Sequence, residues 1–239
     1  MSRLRDWYRR EQFTPDVLGA FVNPFYLARR ALHREIAACA PDLTGRLLDV
    51  GCGRKPYRDL FEVDEYIGLE IDTEATRSRG YADQFYDGHR FPFDDSSVDA
   101  IICNQVLEHV FNPSEFLAEI RRVLRPAGKL LLTVPFAWDE HEQPHDYARY
   151  SSFGLKYLLA AHGFEIQRYG KTLADASVIA QLLNAYVFKV CRTRSPVANV
   201  VLTALLMAPI SLLGQVIGAL LPRNQDLFLD SVVLAVRNG

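Results

Sequence analysis

Residues 47–57 read LLDVGCGRKPY. The apolar run RLLDV (46–50) stops abruptly, and Gly51 and Gly53 then bracket Cys52. A short apolar run closed by glycine is expected as a buried strand. Glycines where the chain leaves the sheet permit unusual backbone angles and let a ligand touch the main chain. The next apolar run, YIGLE (66–70), ends in Glu70, 17 residues after Gly53. A carboxylate at the tip of a second strand is placed to accept hydrogen bonds from ribose hydroxyls. A dinucleotide would ask for GxGxxG, because its pyrophosphate must approach a helix N-terminus. Here Pro56 stands where the third glycine would be. The turn therefore suits a ligand with a ribose and no pyrophosphate, which disfavours a nucleotide-cofactor oxidoreductase.

Working outward, VDAIICN (98–104), KLLLTVP (129–135), GFEIQRY (163–169) and LFLDSVVLAV (227–236) read as strands, and DQFYDG (83–88) as a weaker one. Asn23 and Pro24 open a helix over 24–39 with Phe25, Ala28, Leu32, Ile36 and Cys39 on one face. Pro113 and Ser114 open another, which Pro126 and Gly128 are expected to close. Residues 1–22 are basic and aromatic without a clear period, and their arginines read as a solvated face. Strands alternating with helices predict an α/β fold, a doubly wound sheet whose ligands bind beyond the carboxyl ends of the strands. The expected division is an N-terminal segment and helix (1–41), then one domain (42–239) holding an apolar helical insertion at about 173–223.

The 239 residues carry a net charge of −2, which points away from a nucleic-acid partner. Four cysteines (Cys39, Cys52, Cys103 and Cys191) form no CxxC pair. The first residues, MSRLRDWYRREQF, contain no apolar core of a secretory signal. The expectation is a cytoplasmic protein with reduced thiols.

LLDVGCG, YIGLEID, DGHRFPFDDSSVDAIICNQVLEHV and LRPAGKLLLTVP, in this order, resemble the class I S-adenosylmethionine-dependent methyltransferases, in the small-molecule branch with a VLEHV-type segment. The resemblance covers roughly residues 42–170 and the final strand. It implies a Rossmann-like seven-stranded sheet of order 3-2-1-4-5-7-6 with the last strand antiparallel, and S-adenosyl-L-methionine as cofactor. Residue by residue, it implies that Asp49, Gly51, Cys52 and Gly53 hold the methionine end and that Glu70 takes the ribose hydroxyls. Ile71 would pack on the adenine, and Asp87 with Gly88 would meet its amino edge. Asn104 and Gln105 would line the sulfonium side. Many members continue the first motif as DxGxGxG, whereas Lys55 and Pro56 follow here. The next helix should start differently, with Lys55 near the pocket mouth. The NPPY-type segment of nucleic-acid methyltransferases is replaced by NQVL.

Transfer of a methyl from a sulfonium needs mainly alignment and exclusion of water, with a base where the acceptor carries an acidic proton. The loop PFAWDEHEQPHDYARYS holds His141, His145, Asp146, Arg149 and Tyr150 and is expected to meet the acceptor. His145 is the favoured base, with His109 and Tyr150 as further candidates. Some relatives bind a divalent cation through an ExxEH segment. Here Gln105 replaces the first carboxylate, so no metal is expected. The alternative to an active transferase is a module of the same fold that binds the cofactor without catalysis.

Residues 195–222 are 28 in a row without charge. Hydropathy alone suggests a membrane span. A single crossing would put the sixth and seventh strands on opposite sides of the bilayer, and Pro209 is expected to split the run into two stretches too short to cross. One-leaflet membrane contact at the inner face, packing within the protein, or a homodimer surface are the readings. The acceptor is expected to be a small molecule or lipid-linked.

Overall fold

The computed structural model describes residues 2–239, and the chain divides into two compact units. One comprises residues 36–136, 140–170 and 231–239 and is built on the sheet. The other joins residues 1–35, 137–139 and 171–230 and is helical. The boundary expected at residue 41 and the grouping of residues 1–35 with residues 171–230 differ. The N-terminal segment and the insertion belong to one unit, because each supplies an incomplete core. Ala20, Tyr26 and Leu27 from the first bury themselves with Leu173 and Ala180 from the second.

The sheet holds β1 (Arg46–Val50), β2 (Glu65–Ile71), β3 (Gln84–Tyr86), β4 (Val98–Asn104), β5 (Leu124–Pro135), β6 (Phe164–Lys171) and β7 (Asp230–Arg237). Its order is β3-β2-β1-β4-β5-β7-β6. The pairs β1–β2, β1–β4, β2–β3 and β4–β5 are parallel. β7 runs antiparallel: Thr172 donates to the Asp230 carbonyl, whereas at the far end Asn238 donates to Gly163. A strand-order reversal beside β1 opens a crevice at the carboxyl ends of β1 and β4. Leu47, Leu48 and Val50 of β1 and Ile101, Ile102 and Cys103 of β4 are fully buried, as strands covered on both faces must be.

The helices of this unit include α3 (Glu74–Arg79), α4 (Pro113–Val123) and α5 (Ser152–Ala161). Asn112 caps α4 through Oδ1, which accepts from the Glu115 N–H at 3.4 Å. The helix closes at Val123, before Pro126 and Gly128, because Leu124 is already paired with Val98 as the first residue of β5. No α-helix follows the glycine turn. Lys55 takes a positive φ of 53°, and a 3-10 turn (Arg58–Leu60) carries the chain to β2. Residues 2–22 are more ordered than their missing period predicts, since Ser2–Glu11 forms α1. Arg3, Arg5, Arg9 and Arg10 are exposed on it, and Glu11 is buried, accepting from the Asp16 N–H at 2.8 Å. The second helix, α2 (Tyr26–Cys39), starts two residues later than Pro24, with Asn23 Oδ1 accepting from Phe25 N–H.

The insertion contains α6 (Ser177–Cys191) and then α7 (Pro196–Leu202), a π turn (Thr203–Met207) and α8 (Ala208–Leu220). These last three run on as one helix of 25 residues. Pro209 does not split it, contrary to the sequence expectation. It lies in the first turn of α8, and the π turn before it absorbs the missing N–H.

Candidate active site

The glycine turn lies at the end of β1. Gly51 and Gly53 have φ of 70° and 52°, a region L side chains avoid. Gly51 and Cys52 both donate to the Leu69 carbonyl of β2, at 2.9 and 3.2 Å. A Cβ at Gly51 would stand 2.4 Å from Val106 Cγ2, so the segment after β4 rests directly on this turn. A Cβ at Gly53 would meet nothing within 4 Å. The turn thus has one face packed and one face open, which is the shape a cradle for a ligand requires. Beside it, Glu70 Oε1 accepts the Gly53 N–H at 2.7 Å. That bond orients the carboxylate at the tip of β2 and leaves lone pairs for hydroxyl donors.

Asp49 is 5% exposed and accepts the Tyr66 hydroxyl at 2.5 Å. Burial raises its pKa to about 7, with the Tyr66 bond opposing the rise. Tyr66, which the sequence reading missed, has its own pKa pushed far up by burial and by Asp49. Cys52 turns its thiol into the fold against Gly68, and burial pushes it up to about 12. Only its backbone is left to meet a ligand. Lys55 is held by a carboxylate. Its ammonium pairs with Asp83 at 2.5 Å, and Asp83 also accepts the Gly68 N–H.

Ile71 is 44% exposed, and its Cδ1 lies 3.5 Å from where a Gly88 Cβ would be. The two residues expected around adenine are therefore neighbours. Asp87 spends Oδ1 on the N–H groups of His89 and Arg90, both at 2.9 Å, and these bonds hold its pKa below the usual range. Asn104 Oδ1 accepts from the Thr133 hydroxyl at 2.8 Å. Gln105 takes a φ of 56° and donates its backbone N–H to the Thr133 carbonyl at 3.0 Å. Buried Thr133 of β5 thus anchors both, a role that a lone threonine in LLLTVP could have signalled.

The histidine-rich loop is pinned to the segment after β4. Tyr147 and Ala148 donate to the Glu108 carbonyl. Arg149 clamps Asp146 with both terminal nitrogens, at 2.6 and 2.7 Å, and holds the Asp146 carboxyl well below the usual range. Asp146 in turn lies 3.3 Å from His141 Nδ1. His145 is exposed, and its ring pairs with the Tyr147 hydroxyl at 3.0 Å. Its carbonyl, rather than its ring, meets the His109 side chain, 2.7 Å from Nδ1. Tyr150 packs against the core, where burial and then Glu108 raise its pKa.

The loop and the segment after β4 bring together Glu108, His109 and His141. One ligand atom from each lies within 4.8 Å of the others. Glu108 is fully buried, and the His109 and His141 rings meet edge to face at 4.7 Å. A carboxylate with two imidazoles can relay a proton or hold a divalent cation. Gln105, an amide, is not part of this set. The third donor of this set comes instead from His141, 32 residues beyond His109.

A model of the methyltransferase domain family matches residues 48–132. The relative described as "Probable S-adenosylmethionine-dependent methyltransferase" of Mycolicibacterium smegmatis is 32% identical over 135 residues, 51% of this chain. The chain spans about half of that relative, 52% of its length. Among solved structures, the [4+2]-cyclase SpnF superposes with a TM-score of 0.55 at 20% identity, covering 87% of this chain and 80% of that one. Phosphoethanolamine N-methyltransferase 2 of Haemonchus contortus, solved with S-adenosyl-L-methionine, gives 0.55 at 14% identity, covering 96% and 59%. At these identities the structures establish the fold, which is the one the sequence resemblance implied.

Proposed function

We propose that this chain, whose sheet unit is built on a class I S-adenosylmethionine-dependent methyltransferase domain, transfers a methyl group to a small-molecule or lipid-linked acceptor that carries an acidic proton. The observation that carries the reading is the Glu70 carboxylate held against a glycine turn with an open face. Bound S-adenosyl-L-methionine supplies a methyl on a sulfonium, so the leaving group needs no activation. Glu70 binds the ribose, Asp49 the methionine end, and Ile71 with Gly88 flanks the adenine. His109 handles the acceptor proton. Its Nδ1 faces a carbonyl, which only accepts, so Nδ1 carries a hydrogen and Nε2 is the nitrogen left to exchange a proton with the acceptor. Glu108 Oε1, 3.8 Å from Nε2, stabilises the imidazolium that forms. This moves the base from His145, whose ring points to solvent.

The test is binding of S-adenosylhomocysteine by calorimetry. Glu70→Ala should weaken it by about 1.5–3 kcal/mol, the range for bonds to a charged group. An unchanged dissociation constant would remove the ribose assignment.

A pH dependence follows from Asp49. Its folded pKa of about 7 is raised, so the stability its proton contributes is full below its unfolded value near 4 and is lost as pH rises through 7. Binding of a ligand ammonium favours the ionised carboxylate. Affinity for S-adenosylhomocysteine should therefore fall about tenfold per pH unit below 7 and level off above it. Flat affinity between pH 5.5 and 8 would mean that Asp49 does not meet the ammonium.

A second reading draws on SpnF, a protein of this fold described as a cyclase. If this chain binds the cofactor without transfer, methyl-labelled S-adenosylmethionine will stay unconsumed in a cell extract that supplies acceptors.

A further inference from the structure

α6 and the helix 196–220 are patterned inside out. In a water-soluble protein a helix buries its apolar stripe and exposes its polar one. On α6 the stripe Ile179, Leu183, Tyr186 and Val190 recurs at helical spacing and is 47–67% exposed. The opposite face buries Ser177, Gln181 and Asn184, beside the small apolar Val178 and Ala185. Asn184 Nδ2 donates to Ser211 Oγ at 2.8 Å and to the Met207 carbonyl at 3.3 Å. Gln181 spans the Pro24 carbonyl and the Ala28 N–H. The 25-residue helix repeats the pattern. Thr203 and Ser211 are 1% exposed, and at Gly214 a Cβ would come within 2.3 Å of Ala180 Cβ. Its outer face presents Leu205, Leu206, Leu212 and Leu213 at 41–69% exposure. Small and hydrogen-bonding residues between helices, with aliphatics outside, is how helices pack when the surrounding solvent is lipid.

We infer that the outer face of α6 and of the helix 196–220 lies in one leaflet of an anionic bilayer, parallel to its plane. Topology and helix length together argue against a membrane-spanning arrangement. β6 and β7 are neighbours in one sheet, so the insertion between them crosses a bilayer an even number of times. Two crossings need two helices of sufficient length, and α6 has 15 residues, about 22 Å, against a hydrocarbon core of about 30 Å. The turn between the helices carries Arg192 and Arg194, and Arg223 follows the second helix. Arginines at that turn oppose tip-first insertion and suit headgroup phosphates along a helix lying flat. The charge agrees. The helical unit carries 12 basic and 8 acidic side chains, a net +4, within a chain of net −2.

Flotation of the full chain with vesicles decides the matter. It should rise with vesicles of phosphatidylcholine mixed with phosphatidylglycerol, and less with phosphatidylcholine alone or in high salt. Leu205→Ser, Leu206→Ser, Leu212→Ser and Leu213→Ser combined should lower the vesicle partition coefficient by roughly a hundredfold or more. These side chains are exposed, so the variant should keep its circular dichroism and melting temperature. A wild-type chain that stays at the bottom of the gradient overturns the inference, as does a variant that floats equally well. It is overturned too if the wild type is a vesicle-independent dimer that the four serines convert to a monomer, since the face then belongs to a second copy. Should the four serines unfold the chain, single variants Leu205→Ser and Leu213→Ser carry the comparison, and each must weaken flotation.

Discussion

Replacing His109 with alanine should lower methyl transfer by about 10²–10⁴-fold, the usual contribution of a positioned general base. Affinity for S-adenosylhomocysteine should change little, because His109 lies outside the residues assigned to the cofactor. One hydrogen bond sets the orientation of the ring. The His145 carbonyl holds Nδ1 and leaves Nε2 beside Glu108. His145→Ala removes a solvent-facing ring and keeps that carbonyl, so it should retain most activity. Transfer of label from methyl-labelled S-adenosylmethionine into an extract measures both. Near-normal transfer by His109→Ala defeats the assignment. The same cluster offers three metal-ligand atoms, so a chelator is the companion test. A proton-relay site keeps its rate after dialysis against chelator. A metal site loses it and regains it when a divalent cation such as zinc or iron is returned.

Gly51→Ala should destabilise the protein by about 2–5 kcal/mol. Roughly 1–2 kcal/mol comes from placing an L side chain at positive φ, and about 1–3 kcal/mol from overpacking. Here φ is 70° and the nearest atom, Val106 Cγ2, would stand 2.4 Å from the new methyl. Val106 is β-branched and cannot swing away freely. For a chain of this size the melting temperature should fall on the order of 10 °C. Val106 precedes Glu108 and His109 by two and three residues, so its displacement should also impair transfer. Gly51→Ala with Val106→Ala should recover the overpacking share and leave the backbone share. Gly53→Ala offers the contrast. With open space around it, that change should cost only about the backbone share while still blocking the approach of a ligand. Equal losses at the two glycines would mean that Val106 does not bear on the turn.

The strands around the crevice were legible because their signals are local. RLLDV and VDAIICN are bounded by glycine or polar residues, and they form β1 and β4 with the limits read from the chain. Strand ends place Glu70 and the glycine turn automatically, since parallel strands in register bring their carboxyl ends to one edge. The histidine cluster was not legible in the same way. Loops have no period, so nothing in PFAWDEHEQPHDYARYS says that His141 turns inward while His145 offers only its carbonyl. The Asp146–Arg149 clamp and the Glu108 carbonyl make that choice.

The chain by itself determined which backbone is stripped of side chains, which carboxylate follows it, and that residues 195–222 are uncharged. These are properties of residue type and spacing. Tertiary structure decided the rest. The N-terminal segment joins the insertion because neither buries a core alone, and a π turn lets the long helix pass Pro209. It also decided which stripe of α6 faces inward. Hydropathy counts apolar residues without regard to direction. The polar stripe is inside only because Asn184 and Gln181 find partners on Ser211, Met207, Pro24 and Ala28. A buried amide is stable only where other parts of the chain satisfy it, and no local pattern contains that information.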